Sequence, residues 1–271
     1  MVVGMARQGE KGSMKNVSLL AAALIAVMVA LAPSVRGQGA PVLSPVPKAC
    51  ETPGAQVIAD SPLPNIVAAL RERKKITILA IGSTSASLRG PVSGGHYAIV
   101  ERFLETTFKG LDVQIVHRGV SGELAADAAG RIKTEVALAD ADLVLWQLGT
   151  ADAMAHVPVA DFQAVVSETV AWLKEHKIDV ILVGLRYARS MAKDPQYQAI
   201  RAAIRDIAKK QNVLRISRYD AEETLEKLRH EQGVLMSDIE VSESNYVCMA
   251  EYLARAIATG LFARENPAKR P

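Results

Sequence analysis

The chain has 271 residues, 49% of them hydrophobic and 23% charged, enough apolar content for a packed core and too much for a wholly disordered protein. Two cysteines, Cys50 and Cys248, exclude a disulfide-dense miniature scaffold and a four-cysteine zinc site. The formal net charge of +3 belongs to residues 1–40, where Arg7, Lys11, Lys15 and Arg36 face only Glu10. The remainder is balanced, and nothing in it points to nucleic acid.

Leu19 to Ala32 is an unbroken apolar run after Lys11 and Lys15. It is shorter than the about 20 residues that span a bilayer. A short run behind a basic start reads as a secretory signal peptide covering residues 1–40, with no stable membrane anchor after cleavage. Its features look bacterial, so the expected destination is the periplasm or the exterior. In an oxidising compartment two thiols pair, which predicts a Cys50–Cys248 disulfide tying the mature N-terminus to the last helix. Two buried free thiols are the alternative.

Residues 41–65 hold Pro41, Pro45, Pro47, Pro53, Pro62 and Pro64 and read as an extended leader. A domain is expected over 66–265. Ile76–Ile81 is a continuous apolar strand ending at Gly82, and His96–Lys109 has helical spacing. Val113–Val116 predicts a second strand and Ala125–Leu138 a helix. Leu143–Leu148 is a third strand, Phe162–His176 an amphipathic helix and Val180–Leu185 a fourth strand. Tyr197–Lys210 is helical, Val213–Ile216 a short fifth strand, and Tyr246–Phe262 a closing helix. Strands that are apolar throughout must be covered on both faces. Alternation with helices then predicts an α/β fold, a three-layer α/β/α domain around a doubly wound parallel five-stranded sheet. Ligands bind such sheets beyond the carboxyl ends of the strands.

Four segments fall at those ends. They are Gly82-Ser83-Thr84-Ser85, His117-Arg118-Gly119-Val120-Ser121-Gly122, Gly149-Thr150-Ala151-Asp152, and Ser237 to Tyr246 before the closing helix. In order and placement they resemble the blocks of the SGNH, or GDSL-type, hydrolases, and Tyr246-x-Cys248 is similar to one exported branch of that family. The resemblance implies a flavodoxin-like sheet, hydrolysis of acyl or acetyl esters on lipids or carbohydrates, and no metal or other cofactor. In that chemistry a serine attacks the ester, a histidine takes its proton, an aspartate orients the histidine, and amides plus an asparagine hold the oxyanion.

Carried over residue by residue, the nucleophile position is Thr84 and the oxyanion glycine is Gly122. The asparagine position is Ala151, the histidine position Glu240 and the aspartate position Ser237. A one-residue shift offers Asp238 as the aspartate and puts Val241 in the histidine place. Both alignments lack the histidine. Ser85 is a possible replacement nucleophile, and His117 a possible replacement base or an ordinary strand-end histidine. Glu240 is either a base with a burial-raised pKa or an acid at a helix start. Ser83, Asp152 and Arg186 are candidate ligand contacts. For Asp152 the alternative is a cap, and for Arg186 a salt bridge. The expectation is an exported protein with a hydrolase fold and an impaired site. It would bind a small-molecule, carbohydrate or lipid ester ligand, or a partner. The alternative is an active ester hydrolase on substitute residues.

Overall fold

A computed structural model describes residues 43–59, 61–83 and 95–262. The segment read as a signal peptide, and the candidates Thr84 and Ser85, lie outside the described residues.

The architecture follows from the strand that begins at Lys75. In β2 (Lys75–Ser83) every residue from Ile76 to Gly82 is buried, so both of its faces must be covered. Ile76, Ile78 and Ala80 face one apolar cluster, and Leu79 and Ile81 face the other. That alternation is the two-residue period of a strand. β3 (Asp112–Val120), β4 (Leu143–Gln147), β5 (Asp179–Val183) and β6 (Leu214–Ile216) extend the sheet in parallel. The short β1 (Ile58–Ala59) adds to β6 antiparallel, giving the order β1-β6-β5-β4-β2-β3. The five parallel strands alone run 2-1-3-4-5, the flavodoxin-like order, and the direction of winding reverses between β2 and β4.

One face packs against α1 (Pro64–Arg73), α2 (Gly95–Thr107) and α8 (Asp238–Phe262). The other packs against α3 (Ala125–Ala139), α5 (Val159–Glu175) and α6 (Pro195–Gln211). Two helices occupy strand-end positions: α4 (Thr150–Met154) after β4, and α7 (Arg218–Glu231) after β6. Among the described residues no helix is long and apolar enough to cross a membrane.

The structure adds β1, α1, α4 and α7 to the expected elements, placing β1 within the expected extended leader, and it lengthens two others. β3 runs on to Val120, because Ser83 of the neighbouring strand still offers it a partner. The last helix begins at Asp238, eight residues before the expected start at Tyr246. A polar helix start supplies no apolar periodicity, so hydrophobic spacing finds only the buried portion.

The expected Cys50–Cys248 disulfide is formed. Around it, the Tyr252 hydroxyl donates to the Cys50 carbonyl at 2.5 Å and Arg255 donates to the Pro45 carbonyl at 3.0 Å. The bridge closes a sequence separation of 198 residues. Chain entropy then gives on the order of 4–5 kcal/mol for it, so Cys248→Ala should lower urea-unfolding stability by up to that amount.

Asp179 performs the capping that Leu63, before α1, cannot. Its carboxylate accepts the Asn65 and Ile66 amides at 2.9 Å each and the Asn65 side chain at 2.8 Å. Burial nevertheless outweighs these bonds and pushes its pKa from 3.8 up to about 6. The folded chain therefore keeps this proton where the unfolded chain has lost it. Stability is greatest below the unfolded value and should fall as pH rises to about 6, by at most about 3 kcal/mol. Denaturation at pH 4 and pH 6.5, with a carboxyl NMR titration of Asp179, checks both the slope and its source.

Candidate functional site

The reversal point between β2 and β4 is where this fold class places ligands. Gly82 sits there with φ of 100°, opposite Gln147, and a β-carbon on it would lie 2.0 Å from the Gln147 carbonyl oxygen. Only glycine fits this approach. Ser83, the last residue of β2, is half-buried and paired with Val120. Thr84 and Ser85 follow it, outside the described residues.

The register of β3 bears on His117. It stands opposite Ala80, three strand positions short of Ser83, or about 10 Å along the strand. Its ring lies 5.4 Å from that of Tyr97. Burial, with Arg118 beside it, holds its pKa below the ordinary histidine value. The structure thus places His117 within the sheet rather than beyond the strand end where a replacement base was expected. Gly122, at φ 72°, lies in the exposed turn that follows, which the Glu123 amide closes onto the Val120 carbonyl at 3.3 Å. Arg131 braces that turn through both carboxylate oxygens of Glu123, at 2.7 and 2.9 Å.

Asp152 is 1% exposed. One carboxylate oxygen accepts the Ala125 amide at 2.9 Å and the other the Gly149 amide at 3.1 Å. It caps α4 and ties that turn to the start of α3, so its role here is the cap weighed above rather than the ligand contact. Ala151 beside it carries no donor.

Glu240 is an exposed residue in the first turn of α8. Its carboxylate accepts the Ser237 amide at 2.7 Å and the Ser237 hydroxyl at 2.8 Å, while its own amide donates back to that hydroxyl at 3.3 Å. This is a capping box over Ser-x-x-Glu. Those hydrogen bonds hold the Glu240 pKa below the usual carboxylate range. A raised pKa from burial, the condition for a base, is not met.

Hydrophobic spacing missed a polar clamp after β5. The Arg186 amide donates to the Thr150 hydroxyl at 3.1 Å, and the Arg186 carbonyl accepts the Tyr197 hydroxyl at 2.7 Å. The Tyr187 amide donates to Glu222 at 2.7 Å. Glu222 is also paired with Arg218 at 2.7 Å, both 3% exposed. The charge-dense stretch Glu222–Glu231 reads as a solvated helix face, and Glu222 departs from it by turning inward. The spacing of Arg218 and Glu222 was the available signal. Arg186 itself forms no salt bridge among the described residues, and its Nε is buried without an acceptor. No cluster of three His, Cys, Asp or Glu that could hold a metal occurs among the described residues.

Five parallel strands in the flavodoxin-like order, covered by helices on both faces, define a three-layer α/β/α protein. The chain belongs to the non-GDSL lipase-like family, which matches residues 49–263. Solved structures share the fold. LAE5, an alpha/beta hydrolase enzyme from the metagenome of Lake Arreo, Spain, is 17% identical with a TM-score of 0.54, covering 70% of this chain and 97% of that one. Axe2, an acetylxylan esterase from Geobacillus stearothermophilus, is 19% identical with a TM-score of 0.51 over 70% and 97% of the two chains. TesA is 18% identical with a TM-score of 0.52 over 67% and 99%. A search of curated proteins found no match.

Asp152→Ala would strand two amides at the heart of the site. At about 1–3 kcal/mol for each buried unpaired group, a loss of about 2–5 kcal/mol is expected in chemical denaturation. Glu240→Gln should move stability far less, because the amide oxygen still accepts.

Proposed function

We propose that this chain is an exported, non-hydrolytic member of its family that binds a ligand or partner in the crevice at the carboxyl edge of the sheet. The observation that carries this reading is Glu240. The position that resembles the family's histidine is filled by an exposed glutamate committed to a capping box, with a depressed pKa. It is a poor proton acceptor near neutral pH.

Magnitudes support the reading. Losing the triad histidine costs about 10⁶-fold in turnover in a serine protease, and one oxyanion donor about 10²–10³-fold. Here Ala151 supplies no side-chain donor, and the β3 register keeps His117 short of the strand end. The remaining contacts suit binding: Ser83 at the strand end, and Arg186 beyond β5. The acetylxylan esterase Axe2 and the lipase-like family support a small-molecule, carbohydrate or lipid ester as the ligand class. The N-terminal charge pattern and the disulfide support export to the periplasm or beyond.

Hydrolysis of p-nitrophenyl acetate and butyrate by the purified protein tests the reading, with Thr84→Ala and Ser85→Ala as controls. Turnover should match buffer and be indifferent to both variants. Turnover abolished by one of them would identify that hydroxyl as the nucleophile and establish an active hydrolase. Combining T84S, A151N, S237D and E240H should raise turnover above background, because it rebuilds the proton acceptor, its orienting acid and the oxyanion donor on an intact fold.

A further inference from the structure

We propose that Arg186 anchors an oxyanion-binding site, for a carboxylate or phosphate group on a small ligand, at the carboxyl edge of the sheet beside Thr150 and Tyr187. The inference deepens the binding role proposed above and rests on it.

Three side chains from three helices fix the backbone at this point. Thr150 of α4 takes the Arg186 amide, Tyr197 of α6 holds its carbonyl, and Glu222 of α7 takes the next amide. Such bracing immobilises the residue that follows the strand end, and a fixed backbone lowers the ordering cost of a contact made by its side chain.

The guanidinium carried there forms no salt bridge among the described residues. Its Nε is buried and meets no acceptor among the described residues. Four carboxylates of the flanking helices are engaged elsewhere. Asp152 holds the Ala125 and Gly149 amides, and Asp194 caps α6 through the Tyr197 amide. Glu222 is shared by Arg218 and the Tyr187 amide, and Glu226 is paired with Arg189.

A buried donor on a charged group is costly unless something accepts from it. A planar guanidinium matches an oxyanion with two parallel N–H···O bonds, a geometry that water or a lone hydroxyl does not reproduce. The ring of the next residue, Tyr187, is set edge-on against Tyr219 at 5.2 Å. The structure thus offers one charge and a braced strand-end turn.

The test follows the Arg186 Nε–Hε resonance by ¹⁵N NMR during titration of the protein with inorganic phosphate and, separately, D-glucuronate, with uncharged glucose as the control. A saturable shift with either anion and none with glucose is expected. Phosphate alone assigns a phosphate group, and glucuronate alone a carboxylate. With affinity in the wild type and both variants read by isothermal titration calorimetry, Arg186→Gln should weaken the anion at least tenfold. Arg186→Lys keeps the charge and loses the planar fork, and should weaken it by a smaller factor. Absence of saturation by both anions, or an unchanged affinity in both variants with native circular dichroism, overturns the site. This outcome is independent of ester hydrolysis, since an active hydrolase could still bind an anion through Arg186, and an inactive protein could fail to.

Discussion

A carboxylate withdrawn from water is tolerated only where donors replace its hydration, and Asp152 meets that condition with two amides from separate turns. The bond to Gly149 sets the start of α4. The bond to Ala125 sets the start of α3, across the crevice mouth. Gly82 completes the frame, because its missing β-carbon lets β2 and β4 close to contact at the reversal point. The turns after β3 and β4 therefore keep fixed positions whatever side chains they carry. Ala151 lies within α4, in the turn so fixed. The frame is held by backbone amides, a glycine and one acid, none of which takes part in proton transfer.

Glu240 suits its place at the start of α8. The first turn of a helix leaves amides unpaired and carries partial positive charge, so it favours an acid that can reach back to the cap. Glutamate at this position satisfies the helix. A histidine there would have to be oriented by a neighbouring acid to serve as a base, and Ser237 supplies only a hydroxyl. In this chain the helix start is therefore built for its own stability, and its carboxylate is held in the state least able to accept a proton.

Much of the fold was legible because β-strands buried on both faces are apolar throughout. The strands at Ile76–Ile81, Leu143–Leu148 and Val180–Leu185 could be read on that basis, and their alternation with amphipathic helices implied the parallel sheet. The ends were less legible. Val120 belongs to β3 only because Ser83 lies beside it, a fact about the neighbouring strand. Asp238 begins α8 through a Ser-x-x-Glu box that hydrophobic spacing does not register. The pairing of Arg218 with Glu222 shows the same difficulty on a helix. Their spacing is visible, yet charge pattern alone does not tell a solvated pair from one sealed beneath a turn.

At the site, sequence could place residues at strand ends but could not say which of them were already occupied. Asp152 and Arg186 were equivalent there, each a charged residue after a strand with a ligand role or a structural one. The structure separates them by hydrogen-bond accounting. Asp152 is saturated by amides, so a ligand would have to displace a cap. Arg186 has its backbone amide and carbonyl bonded and its guanidinium in no salt bridge among the described residues, so an anion there would displace no ion pair among them. Among the described residues Asp152 and Glu222 are committed to amides and to Arg218, while Arg186 has no ionic partner.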